Sequence, residues 1–193
     1  KDAANYSKKL EKKNIDSFES NLISAVYYLE SKDFDKAAAY FKKLRNKSQP
    51  GSIQSLLSTS LNSWANFKST KDLDSALNLL DSIPKKFENL KNIQKMFAYC
   101  YFDSDRTDEV FRKITSRPDI NYSRYFFFHV NYLISSNKKE KAKKILKSSL
   151  DLHPENLILN QLEVDLNQKK IFNNQFDCKD KRHVVAEILY IVA

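Results

Sequence analysis

YFFFHVNYLISSNKKEKAKKILKSSLDLHP, residues Tyr125 to Pro154, reads as two short amphipathic helices joined by a polar turn. Phe126, His129, Val130 and Leu133 recur along one face at helical spacing, and Ser135 to Lys138 interrupts the apolar run. A second helix follows with Ala142, Ile145, Leu146 and Leu150 inward. Pro154 stops it, because proline has no N–H to donate and its ring clashes with the preceding turn. Ala142 is the key position, since a methyl group at a helix crossing lets two backbones approach closely.

Three further stretches read the same way. In the first, Asp16 and Glu19 form a capping pair, and Leu22, Ile23, Val26, Tyr27 and Tyr28 make a helix that breaks at Ser31-Lys32-Asp33. Ala37, Ala38, Phe41 and Leu44 are the inward side of its partner, which ends at Gln49-Pro50-Gly51-Ser52, with Ser52 placed to cap the next helix. The second has Ile53, Leu56, Leu57, Leu61, Trp64 and Phe67, a turn at Lys71-Asp72, then Ala76, Leu79, Leu80 and Ile83 up to Pro84. The third has Leu90, Ile93, Phe97, Ala98 and Tyr101, a turn from Asp103 to Arg106, Thr107 as a cap, and Val110, Phe111 and Ile114 before Pro118. The crossing positions Ala37, Ala76, Val110 and Ala142 lie 39, 34 and 32 residues apart. Two helices repeated near every ~34 residues are the signature of a tetratricopeptide solenoid.

The chain resembles the tetratricopeptide (TPR) family at the positions that define its motif. These are Ala25, Tyr28, Ala37, Phe41 and Leu44 in the first hairpin and Trp64, Phe67, Ala76, Leu80 and Ile83 in the second. Ala98, Tyr101, Val110 and Ile114 follow in the third, then Phe126, His129, Val130, Leu133, Ala142, Leu146, Ser149 and Pro154 in the fourth. It departs from the pattern where Trp64 and Val130 replace a glycine-like residue, where Val110 replaces alanine, and where Pro118 arrives early. The resemblance implies an all-α fold, a right-handed α-α superhelix of TPR-like hairpins over 17–154, preceded by a polar helix or tail over 1–16. Residues 155–193 read as a degenerate fifth hairpin, with Leu159, Leu162 and Leu166 inward, and the start of a further, truncated helix in HVVAEILYIVA. An uncovered apolar end of this kind reads as the N-terminal fragment of a longer array. On the whole-chain view it looks like the long TPR-only proteins of bacteria, often exported, which places it in periplasm or cytoplasm.

Composition is consistent with helices. One Gly and four Pro in 193 residues leave little for tight-turned sheets or glycine-rich phosphate loops, while 41% hydrophobic residues suffice for a core. No run approaches the ~18 apolar residues of a membrane span. Net charge +9 permits attraction to nucleic acid, anionic lipid or acidic proteins. The densest cluster, Lys138, Lys139, Lys141, Lys143, Lys144 and Lys147, falls between inward positions and reads as a solvated helix face. Cys100 and Cys178 make no disulfide framework, and Cys100 reads as a core residue.

No catalytic, cofactor-binding or metal-binding set emerges. His129 reads as a packed histidine and His153 as a capping cation at a helix end. Cys178, Asp180 and His183 lack the second ligand pair of a zinc site. Asp33, Asp35, Asp72 and Asp74 suit turns and N-caps. The family's groove-lining pattern implies Leu22, Val26 and Leu29, then Leu61 and Lys68, on the inner surface. The partner-binding groove proper falls to Lys95, Tyr99, Phe102, Arg124, Phe127 and Asn131, which mix aromatics with cations and suit a peptide, ideally an acidic one. Leu22 and Val26 stand where chaperone-tail clamps use Lys and Asn, so that activity is not expected. The expectation is a non-catalytic protein-interaction scaffold that needs no cofactor. The alternative is a nucleic-acid-binding helical repeat using the basic surface.

Overall fold

The computed structural model describes residues 2–49, 51–67, 72–81, 83–117, 122–168 and 176–192. Pro50, Lys68, Lys71 and Pro118, on which the sequence reading draws, lie outside them. Among the described residues the chain is all-α, with helices α1 (Asp2–Lys12), α2 (Phe18–Glu30), α3 (Phe34–Lys47), α4 (Ile53–Asn66), α5 (Leu73–Asp81) and α6 (Glu88–Tyr101). Then follow α7 (Thr107–Thr115), α8 (Ser123–Ser135), α9 (Lys139–Leu152), α10 (Leu157–Asn167) and α11 (Lys181–Val192). None of these is long and apolar enough to cross a membrane.

The turn after a first helix is built the same way three times. Lys32, Asp103 and Asn137 each adopt a left-handed conformation, with φ of 59°, 51° and 59°. The next residue then donates its N–H five residues back: Asp33 to Tyr28 (2.9 Å), Ser104 to Tyr99 (3.1 Å) and Lys138 to Leu133 (2.8 Å). This closes carbonyls that a helix end leaves open, and it offsets the ~1–2 kcal/mol cost of left-handed backbone at a residue with a Cβ. Asp33 then caps α3 by accepting from the Lys36 N–H (3.3 Å), and Asp72 accepts from the Ser75 N–H (2.7 Å). Ser52 caps α4 as its position predicts, accepting from the Ser55 N–H at 3.0 Å.

Two caps differ from expectation. Helix α2 starts at a reciprocal box between Ser17 and Ser20, while Asp16 is drawn to Asn21 and Lys47. Thr107 sits inside α7, where its hydroxyl donates to the carbonyls of Tyr99 (3.0 Å) and Ser104 (2.6 Å) and ties α7 to the end of α6.

The chain divides into two packed units, Lys1–Lys91 with Asp180–Ala193, and Asn92–Lys179. In the first, α2, α3 and α4 pack in succession. Helix α1 is docked on α2 through Ala4 and Ser7, with the Ser7 hydroxyl donating to the Ser20 carbonyl (2.7 Å) and lying 2.8 Å from Ser24 Oγ. Glu11 accepts from Tyr40 (2.8 Å) and Lys43 (2.9 Å) of α3, so the N-terminal stretch is a packed helix rather than a tail. Helix α11 lies against α4. Its Val184, Val185 and Ile188 are enclosed, while Tyr190 is exposed.

The second unit is built around α8. Tyr125 to Asn131 are buried without a break, and Leu133 and Ile134 follow. α7, α9 and α10 all pack on this helix. Phe97 of α6 meets Phe128 edge-on at 4.7 Å.

The crossing alanines Ala37, Ala76 and Ala142 are at most 1% exposed, whereas Val110 is half-buried. Ile53 and Leu79, read as inward, are exposed: Ile53 sits at the first position behind the Ser52 cap, and Leu80 takes the inward place beside Leu79. Ala142→Leu is therefore expected to cost ~1–3 kcal/mol by overpacking, and Val110→Leu less than about 1 kcal/mol. Urea midpoints compare the two; equal losses would show that the α8–α9 crossing is not close-packed.

Candidate functional site

The six residues nominated as a groove do not form one surface. Tyr99, Phe127 and Asn131 are buried, while Lys95, Phe102 and Arg124 are half-buried. The Arg124 guanidinium lies over Phe127 (5.3 Å) and Phe128 (5.4 Å), and the Asn131 amide donates to the Phe127 carbonyl (2.9 Å). These side chains hold α8 in its surroundings, because a helix that is apolar on every side has no stripe to spare for a groove. In the first unit, Leu22 and Val26 border a shallow apolar groove of about 640 Å³ with Ile23, Tyr27 and Leu189, whereas Leu29 and Leu61 are buried.

The open surface of the second unit runs along a different face of α6. Phe97 and Cys100, three residues apart, meet Thr107 and Phe111 of α7 and Phe128 and Tyr132 of α8 around a cavity of about 480 Å³. The remaining wall is a non-helical piece of chain, residues 176–179. Phe176 lays its ring on Phe97 (centroids 4.5 Å apart, planes 29° apart) and meets Phe128 at 4.8 Å and 62°. Cys178 is joined to Cys100 across 78 residues, with Cα atoms 6.0 Å apart. The Lys179 ammonium pairs with the Asp103 carboxylate, and the Asp177 carboxylate accepts the Lys179 N–H at 2.8 Å.

The disulfide corrects the reading of two unrelated thiols. Pairing at such a separation depends on the fold, and nothing local to either cysteine announces it. With its sulfur in that bond, Cys178 has no thiolate to offer a metal beside Asp180 and His183. Asp180 instead accepts from Arg182, whose hydrogen bond is the main reason its pKa falls to about 2.

A second cleft of about 440 Å³ lies between α7 and α9, with Asp108, Arg112, Lys141 and Lys144 at the rim and His129 and Leu133 at its floor. Asp108 pairs with Lys138 (2.6 Å) and Lys141 (3.6 Å), and Glu140 with Lys143 (3.4 Å), so part of the lysine cluster on α9 is already neutralised. Burial works to raise the Asp108 pKa, but the hydrogen bond and charge of Lys138 outweigh it and hold the carboxyl below its ordinary range. His129 Nδ1 lies 3.0 Å from Thr115 Oγ1. The Thr115 hydroxyl also lies 2.9 Å from the Phe111 carbonyl one turn back.

Burial lowers the His129 pKa from 6.5 to about 4, against the weaker opposing pull of Asp108. Folding thus holds the imidazole neutral, and unfolding frees it to bind a proton. Its contribution to stability is complete above pH 6.5 and is lost as pH falls toward 4, amounting to about 3 kcal/mol at most. His129→Gln is expected to flatten the pH dependence of the urea midpoint across that window relative to the natural chain. Parallel curves would mean that His129 is not held neutral.

Comparison with known proteins gives no match: neither a family model, nor a curated protein, nor a solved structure is similar to this chain.

Proposed function

We propose that this chain is a non-catalytic interaction protein, a right-handed TPR-like superhelix of helical hairpins, that binds polypeptide segments on the surface of its helices. The observation that carries this reading is that the second unit already holds a non-helical piece of polypeptide, Phe176 to Lys179, against α6 and α8 by ring stacking and an ion pair. A surface that receives one peptide segment has the chemistry to receive another. Packed helices preorganise it, so that binding orders mainly the ligand.

The solenoid reading is supported by spacing at two levels. Crossing alanines recur in the sequence, and the left-handed residues Asp103 and Asn137 close their turns 34 residues apart. The disulfide favours an oxidising compartment, the periplasm over the cytoplasm.

Selection of a random peptide library against the purified chain, oxidised and reduced, tests the reading. The expected result is a shared consensus whose synthetic peptide binds saturably, one per chain. Recovery of no consensus in either state would remove it. Binding of RNA or DNA with an affinity that falls steeply with salt, and of no peptide, would replace it with the basic-surface alternative.

A further inference from the structure

We infer that the surface formed by Phe97, Phe128 and Asp103 is a docking site for peptides carrying an aromatic residue followed, three positions on, by lysine or arginine. Phe176 to Lys179 is its tethered internal occupant. This rests on the polypeptide-binding reading above and names the partner's chemistry and the control of the site.

Three observations lead to it. Phe176 belongs to no helix, yet its ring fits against two others that already touch, at 4.5 Å and 4.8 Å. Asp103 stands at the left-handed turn position after α6, is 80% exposed, and presents its carboxylate to a cation arriving from outside, which Lys179 supplies. The occupant does not fill the site. About 480 Å³ stays open beside it, edged by the hydroxyl-bearing Ser104, Tyr132 and Ser135, which suit the backbone of a longer ligand. The charge on the protein's side is acidic, so the partner is basic, the opposite of what the cations of the nominated groove suggested.

The Cys100–Cys178 bond controls access. Both cysteines line the cavity, and Cys100 is half-buried, so a dithiol reductant can reach the pair. One thiolate of the reductant attacks a cysteine sulfur, the Cys100–Cys178 bond breaks, and a mixed disulfide forms. The second reductant thiol then displaces the cysteine. The reductant leaves as a cyclic disulfide, and both cysteines gain a hydrogen as free thiols. The covalent tie is then gone, while the ring contacts and the exposed ion pair are ones that a competing peptide reproduces.

The probe is a fluorescent peptide, Phe-Asp-Ser-Lys-Asp-Lys, which copies residues 176–181 with serine for Cys178. It is titrated into the full chain, oxidised and then reduced with dithiothreitol, and into Phe176→Ala with Cys178→Ser. Binding is expected to be at least about tenfold tighter to the reduced than to the oxidised chain, and tighter again to the vacated variant, because an intramolecular competitor has been removed. Adding Asp103→Lys to that variant is expected to weaken binding by about fivefold, and a peptide with Glu in place of the first Lys to recover it. Equal affinity for the oxidised and reduced chains, or indifference to Asp103→Lys, overturns the inference. If the vacated variant loses its helical circular dichroism, the reduced natural chain decides. Unchanged hydrogen exchange at residues 176–179 on reduction would then overturn it. A library consensus that binds independently of Phe97 and Asp103 sinks this site and leaves the broader reading standing; no binding peptide of any kind sinks both.

Discussion

A helix without a polar side must be surrounded, and α8 is such a helix. Seven consecutive residues from Tyr125 to Asn131 are buried, and three of them are phenylalanines worth ~1.5–3 kcal/mol each when taken out of water. The second unit is the arrangement that meets this demand. α9, α7 and α10 cover most of α8, and Phe97 reaches Phe128 from α6. The side of Phe128 left over is covered by Phe176. Core and candidate site are therefore one structure: the aromatic pair that receives Phe176 is the edge of the packing that fixes α8. Any ligand that replaces the segment has to bring a ring of its own, or leave part of the core facing water.

What could be read from the sequence is what local chemistry decides. The alanines at 37, 76 and 142 end up enclosed because a small residue between two apolar stripes has one comfortable place, a helix crossing. Ser52, Asp33 and Asp72 cap helices because a short side-chain oxygen before a helical run can reach its first free N–H groups. Three of the nominated groove residues, Tyr99, Phe127 and Asn131, are enclosed because exposure of a helix face is set by its neighbours. Phe127 and Asn131 sit where an amphipathic helix would turn to solvent, but the FFFHV run has no polar stripe, and α8 is enclosed. Cys100 with Cys178, Phe176 against Phe97, and α11 on α4 are contacts between distant parts of the chain, carried by residues whose neighbours in sequence say nothing about them.

The departures from the repeat pattern also have a physical answer. With one glycine in 193 residues, close helix approach has to come from other small side chains, and serine supplies much of it. Ser7, Ser20, Ser24, Ser58, Ser60, Ser63 and Ser149 are all buried. Hydroxyls among them return their proton to a carbonyl one turn back, Ser63 to Thr59 (2.9 Å) and Ser149 to Leu146 (2.7 Å), so the buried oxygen is not left wanting. Ser7 spans two helices in the same way. Trp64 and Val130, large as they are, are fully buried as well.

Why the segment on α6 should need a covalent bond follows from magnitudes. Fixing four residues of irregular chain costs ~4–8 kcal/mol in backbone entropy. Against this stand burial of part of one phenylalanine ring, ~2 kcal/mol, and two ring contacts of ~0.5–1.5 kcal/mol each. The Lys179–Asp103 pair, 44% and 80% exposed, adds ~0–1 kcal/mol. Together these contacts offset ~3–6 kcal/mol of that cost. The disulfide, closing a loop of 78 residues, is worth about 4.5 kcal/mol in the chain-entropy account of the unfolded chain, and in the folded chain it holds Cys178 of the segment at Cys100 of α6. An occupant that is secure when tied and marginal when untied has the energetics of a competitor, whereas a segment needed only to complete the core would gain from contacts strong enough to hold without the bond.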